Sequence, residues 1–250
     1  MNDTVTQGDI SQPRAQEIAE RLRDEILLGQ YRQGERLPSE RDLAARFQVN
    51  RGAIREAIKV LSQLGIVHVQ PGGVRIQAIN DASLDILGPL LDLGDTIRPN
   101  LVSDLVSVYG ALLALSARLA LQKANPTQKL LLLQILSDSP SEGEPMPINN
   151  AAEREKLAQF GEALTDINDN LVLRLIGNGL RTQMVGRLER GHPSPSSNVQ
   201  FFRTMSRAIE LGDANGLAGA IIKRFDDIKR NLDDATTSAP TELNRNHDHA

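Results

Sequence analysis

The sequence predicts a mostly α chain in two parts: a winged helix-turn-helix over residues 14–78, then an antiparallel bundle of six or seven α-helices over 83–235. Apolar residues recur at helical spacing as far as Gly65, and the period then switches to alternation over residues 66–77. After a short polar connection at 79–82, every periodic segment is helical again. A length of 250 residues exceeds the usual size of a single domain, which agrees with two.

The first 13 residues are polar and aperiodic and read as a flexible arm. From Arg14 onward, Ile18, Leu22 and Ile26 form a helical stripe, and Gly29 stands where the helix should stop. Ser39 and Asp42 have capping-box spacing, so a short helix should run to about Phe47. After Gln48-Val49, Asn50 can cap a third helix with the stripe Ile54, Ile58 and Leu61. Residues 66–70 and 74–77 around Pro71-Gly72-Gly73 then form a small β-hairpin, the wing.

In the second part, Leu101, Leu105, Val108, Leu112, Leu115 and Leu119 step by four and three, and are read as the core stripe of a long helix. Further helical patterns span about 126–137, 151–167, 169–190, 198–211 and 213–233, separated in part by Pro/Ser/Gly-rich loops at 138–149 and 191–197. The chain from 236 to 250 is polar and is expected to be disordered.

Composition narrows the function. No apolar run of 18 or more residues is read, and the N-terminus has neither the basic start nor the apolar stretch of a secretion signal, so a cytoplasmic protein without a membrane partner is expected. With no cysteine there are no disulfides, thiolate metal sites or cysteine nucleophiles. Residues 14–77 hold 11 Lys and Arg against 8 Asp and Glu, a balance of +3, while the remainder holds 17 against 24 and carries −7. That asymmetry suits a phosphate-facing module on an acidic body. No G-x-S-x-G, phosphate-binding Gly loop or H-E-x-x-H occurs, so an enzyme is not expected.

A recognition helix enters the major groove with its N-terminal residues leading, so the informative positions follow the Asn50 cap. Arg51 and Arg55 are candidate base readers, because a guanidinium can pair with both O6 and N7 of guanine. Gly52 and Ala53 are small enough to let the backbone approach the bases, and Arg41, at the start of the preceding helix, can reach a phosphate or the groove edge. Gly72 and Gly73 let the wing approach a minor-groove wall, whereas His68 reads as a surface or packing residue. The alternative for the arginines is a solvated face paired with Glu40, Asp42 and Glu56.

At these residues the chain resembles the GntR family of bacterial regulators. Residues 26–76 match that family's signature nearly end to end, through G-x-x-L-P-S-E-R-x-L-A followed by V-x-R-x-x-I-R-E-A-I-x-x-L-x-x-x-G. The second part, with AIELGDANGLAGAI near its end, resembles the FadR-type subgroup, and SLDILGPLLDLGDTIRPNLVSDLVSVYGALLALSARLAL resembles its fatty-acid-responsive members. The resemblance implies DNA contact by Arg41, Arg51 and Arg55. Asn50 and Ala53 stand where those members have threonines, Pro71 stands at a wing histidine, and Gly72 is retained.

Most of the subgroup holds a divalent metal with one Asp and three His; the matching positions here are Leu157, Gly161, Phe202 and Arg224, none of which can ligate. The four histidines, His68, His192, His247 and His249, are too scattered to meet in a bundle, so neither metal nor cofactor is expected. The resemblance implies an acyl-CoA or another lipid-derived effector, with a small organic acid, or a bundle used only for dimerisation, as alternatives. Candidate pocket residues are Tyr109, Arg118, Phe160, Phe202, Arg224 and Phe225, of which Phe160 and Phe202, like Phe201, fit a plain core as well. A homodimer on a palindromic operator is expected, with ligand biasing a two-state domain arrangement.

Overall fold

The computed structural model of the chain describes residues 11–94, 98, 100–137, 151–184 and 198–238. The chain divides into two compact units, Met1–Pro99 and Asn100–Ala250.

The first unit contains α1 (Ser11–Leu27), α2 (Glu40–Phe47), α3 (Arg51–Gln63), β1 (Val67–Gln70), β2 (Gly73–Ile76) and the short α4 (Leu87–Asp92). The helix expected from Arg14 begins at Ser11, so the expected arm loses its last three residues; residues 1–10 lie outside the described ones. Pro13 does not prevent this, because it falls in the first turn, where the missing N–H would have had no helical partner. Ile18, Leu22 and Ile26 of α1 pack with Ile54, Ile58 and Leu61 of α3, all buried. This core also takes in Leu43 of α2 and Val67 and Ile76 of the hairpin.

Gly65 closes α3 with φ +74°, and a side chain there would also strike the main chain of Asp81 and Ala82 at 3.1 Å. That close approach corrects the expected connection at 79–82. Ile79–Asp81 is a 3-10 turn, and Ser83 N–H donates to Leu64 O at 2.9 Å. The described segment up to residue 94 falls in the first compact unit, whereas the bundle was expected to begin at residue 83.

Six helices make up the described residues of the second unit: α5 (Leu101–Lys123), α6 (Pro126–Ser137), α7 (Ala151–Asn168), α8 (Leu171–Met184), α9 (Asn198–Leu211) and α10 (Ala214–Ser238). α5 packs along α10, α7 and α8, and α9 packs on α6 and α10. The expected core stripe of α5 is overturned, since only Leu105 of its six members is buried and Val108 is 57% exposed. The face that turns inward carries Val106, Gly110, Leu113, Ala114, Ala117, Ala120 and Leu121. The reason is close packing against α10: a Cβ on Gly110 would lie 2.4 Å from Cβ of Phe225. In a helix apolar nearly all round, spacing of large residues does not choose a face, and close approach selects the small ones.

By length and mean hydropathy α5 is also apolar enough to cross a membrane, although Asp104 and Arg118 interrupt its apolar residues. Half of that window is buried inside the unit, as in a core helix. The helix expected to end near 233 continues to Ser238, three residues into the expected tail, and 239–250 lie outside the described residues. The helix expected over 169–190 is described over Leu171–Met184, with Asn170 Oδ1 capping Val172 and Leu173 N–H; 185–190 and the loops at 138–149 and 191–197 lie outside the described residues.

Candidate nucleic-acid interface

Two capped helices joined by a tight turn form the leading surface of the first unit. Ser39 Oγ accepts the N–H of Asp42 at 3.2 Å and donates to its carboxylate at 2.6 Å, closing the head of α2. This bond holds the Asp42 carboxyl below the usual carboxylate range. At the far end Gln48 adopts the left-handed conformation, φ 55° and ψ 45°, which lets the chain reverse within two residues. Asn50 Oδ1 then accepts the N–H of Ala53 at 2.9 Å and opens α3.

α2 is held against α1 by charge as well as by packing. Arg46 Nη1 donates to Glu25 at 2.9 Å and to the Tyr31 hydroxyl at 3.1 Å, with its guanidinium 4.9 Å from the Phe47 ring centre. Glu25 is buried, so this pair is a structural clamp and not part of the exposed face. Beside it, Arg14, Glu17, Ile18, Arg21, Phe47, Gln48 and Val49 line an open cleft of about 370 Å³.

The predicted site residues separate into three groups. Arg51 and Gly52 are exposed at the head of α3, and Arg51 makes no hydrogen bond or ion pair among the described residues. A Cβ on Gly52 would sit 3.1 Å from Asn50 Oδ1, so the glycine also makes room for the cap. Arg41 and Arg55 are exposed but have carboxylates nearby, Arg41 Nε at 3.5 Å from Asp42 and Arg55 Nε at 2.8 Å from Glu40. Exposed pairs of this kind contribute about 0–1 kcal/mol and exchange readily for another anion. Ala53 departs from expectation, because its methyl is buried in the core and only its N–H serves this end of the helix.

The wing is larger than the sequence suggested. β1 and β2 pair antiparallel, with Val67 opposite Ile76 and His68 opposite Arg75. The chain before α2 adds a third edge, in which Leu37 N–H donates to Val74 O at 2.9 Å and Ile76 N–H to Glu35 O at 3.0 Å. Gly72 has φ +97° at the turn, and nothing lies within 4 Å of where its Cβ would be.

In the second unit the predicted pocket residues do not converge. Phe160, Phe202 and Phe225 are buried, with Phe202 against Phe201 and Phe225 against Tyr109 at ring-centre distances of 5.3 and 5.8 Å. Arg224 is buried with its guanidinium 6.0 Å from the Phe201 ring centre, and Arg118 is exposed. Tyr109 borders a cavity of about 50 Å³ between α5, α7 and α8. Ser116, Thr165, Arg174, Asn178 and Arg181, none of them anticipated, line it with Glu162. Arg174 lies 2.8 Å from Asp166 and Arg181 lies 3.6 Å from Glu162. Burial pushes the Tyr109 hydroxyl above its ordinary pKa, while Arg181 pulls it the other way. No sequence period marks these polar groups, which come from three helices. Among the described residues no group of three or more His, Cys, Asp or Glu is placed to hold a metal ion.

The family model that matches this chain falls within the first unit, and the relatives extend beyond it. The family described as "Bacterial regulatory proteins, gntR family" matches residues 14–74. The HTH-type transcriptional regulator Mce2R of Mycobacterium tuberculosis is 29% identical over 208 residues, covering 80% of this chain and 84% of that one. The Glc operon transcriptional activator of Escherichia coli K12 is 34% identical over 116 residues, 45% of this chain and 43% of that one. Among solved structures, Streptococcus agalactiae GntR aligns over 86% of this chain and 99% of its own at 25% identity, with a TM-score of 0.42. A GntR-family regulator from Pseudomonas syringae aligns over 90% and 86% at 16% identity, with a TM-score of 0.44.

Proposed function

We propose that the chain is a GntR-type DNA-binding transcriptional regulator that reads a specific operator through the head of α3 and answers to a small molecule held in its second unit, a reading supported by the family match over residues 14–74 and the likeness to Mce2R. The observation that carries the DNA half is Arg51: an exposed guanidinium with no partner among the described residues, on the first residue of a capped helix, beside a glycine. Arg51 pairs with a guanine edge, Gly52 allows close approach, and Arg55 exchanges Glu40 for DNA. Arg41 takes a phosphate, Asn50 fixes the helix head, and Gly72 lets the wing approach the minor groove. Binding-site selection from a random duplex pool tests this reading: wild type should recover a palindromic consensus and Arg51→Ala a degraded one. An unchanged consensus with Arg51→Ala would remove the role.

A palindrome calls for two recognition helices, and each chain has one. We take the second copy to dock on the apolar surface of the second unit, where Leu171, Val172, Leu175 and Ile176 of α8 are exposed, as are Val108 and Leu115 of α5. Leu175→Glu should convert the dimer to monomer in sedimentation.

We read the second unit as a FadR-type effector domain from its motif and its six helices. The cavity between α5, α7 and α8 favours a small organic carboxylate over a long acyl chain. Its volume is about 50 Å³, against about 300–1,000 Å³ for sites that enclose drug-sized ligands, and its cationic groups are Arg174 and Arg181. A thermal-shift screen against small carboxylates, free fatty acids and acyl-CoAs separates these readings, and stabilisation by acyl-CoA alone would reverse the preference.

A further inference from the structure

We propose that His68, Arg75 and Arg36 form a basic row across the wing that grips the phosphate backbone of the duplex, with Arg36 supplying the charge at the wing turn. This rests on the DNA-binding reading above and adds to it a contact outside the recognition helix.

The row follows from register. His68 lies opposite Arg75 on β1 and β2, and Arg36 bridges Arg75 from the other side. Residues directly opposite in a ladder share a face, so the three side chains stand in line across the sheet. All three are exposed, whereas the neighbouring pair Val67 and Ile76 points the other way, into the core. At this register the basic face is the exposed one, while Val67 and Ile76 beside it are buried.

Two arginines directly opposed are unfavourable unless an anion lies near them. Neither Arg36 nor Arg75 makes an ion pair among the described residues. Arg75 Nη1 instead donates to the carbonyl of Gly34 at 2.8 Å, which turns that charge toward the start of the third edge. Arg36 turns toward the wing turn, where its guanidinium lies over Gly73. A Cβ at Gly73 would be 2.5 Å from Arg36 Nε and 2.9 Å from Nη2, and Gly73 itself has φ +128°. The glycine thus gives the arginine its seat, and the open Gly72 beside it leaves the charge uncovered. An uncompensated pair of permanent cations on an exposed hairpin matches a polyanion, and the duplex that α3 engages supplies one.

Phosphate contacts set affinity and salt dependence without choosing bases, and that gives the test. Using the full chain and a duplex recovered by selection, affinity is measured between about 50 and 200 mM salt. Arg36→Ala and Arg75→Ala should each weaken binding roughly 3- to 10-fold and flatten the plot of log affinity against log salt by about 0.9 per phosphate lost, with the selected consensus unchanged. Arg36→Lys should recover most of the slope, and melting curves like wild type exclude a folding effect. Gly73→Ala, which displaces Arg36, should move in the same direction by less. If both alanine variants keep the wild-type slope and affinity while Arg51→Ala still degrades the consensus, the wing row is wrong and the recognition helix stands. A consensus altered by Arg36→Ala would mean base reading and would also overturn it. Recovery of no duplex by wild type would overturn both this proposal and the reading beneath it.

Discussion

Arg51 at the head of α3 and the two arginines on α8 occupy opposite electrostatic situations. Arg51 has no carboxylate partner among the described residues, whereas Arg174 and Arg181 lie beside Asp166 and Glu162. A free guanidinium on an open helix end suits a large external anion, and paired ones around a cavity of about 50 Å³ suit a small anion able to compete with a neighbouring carboxylate.

The two units should therefore fail in different ways. The largest effect is expected from Gly110→Ala, which forces a methyl against buried Phe225 where only 2.4 Å is available. It should destabilise the protein by about 1–3 kcal/mol in denaturant titration, with the α3 head untouched. Arg51→Ala should do the reverse: operator affinity falls by roughly 10- to 150-fold, the equivalent of about 1–3 kcal/mol, while the melting temperature stays at the wild-type value. If Arg51→Ala unfolded the protein instead, the contrast between the two regions would be lost.

Smaller effects sharpen the contrast. Arg181→Gln should abolish the thermal shift given by any small carboxylate that stabilises wild type, and leave operator binding without ligand unchanged. Glu40→Gln removes the carboxylate 2.8 Å from Arg55 and should tighten duplex binding a few-fold, most at low salt. The smallest change is expected from Ser39→Ala. Loss of its hydroxyl should let the Asp42 pKa rise toward the ordinary carboxylate value, followed by side-chain NMR titration. Because the folded-state pKa is lowered, the stabilisation linked to this carboxylate is present above its unfolded pKa and is lost as pH falls through the folded value. In Ser39→Ala that acid-side loss should shrink.

Much of the first unit was legible in the sequence because its signals agree. The stripes of α1 and α3, the caps Ser39 and Asn50, and Gly65 all specify one arrangement, and the folded unit has it. Ala53 was expected to be small so that the backbone could approach the bases, and its methyl is in fact buried at the start of the α3 stripe. Arg36 was missed because it lies outside both the helices and the hairpin; only the third edge of the wing brings it beside Arg75 and Gly73. In the second unit Phe160, Phe202 and Phe225 are buried while Tyr109 borders the cavity, a division the sequence could not make because a buried ring and a ligand-contacting one have the same hydrophobicity.

From sequence alone came the order of the elements, the winged helix-turn-helix and the arginine that leads its third helix, since these depend on local periodicity, caps and turn residues. Folding decided which face of α5 turns inward, that residues 79–94 belong with the first unit, that Arg36 lies on the wing turn, and that the cavity is lined by Arg174 and Arg181. Those outcomes depend on close approach between segments distant in the chain, Gly110 to Phe225, Gly65 to Ala82 and Gly73 to Arg36, and no local pattern records how near two distant backbones will come.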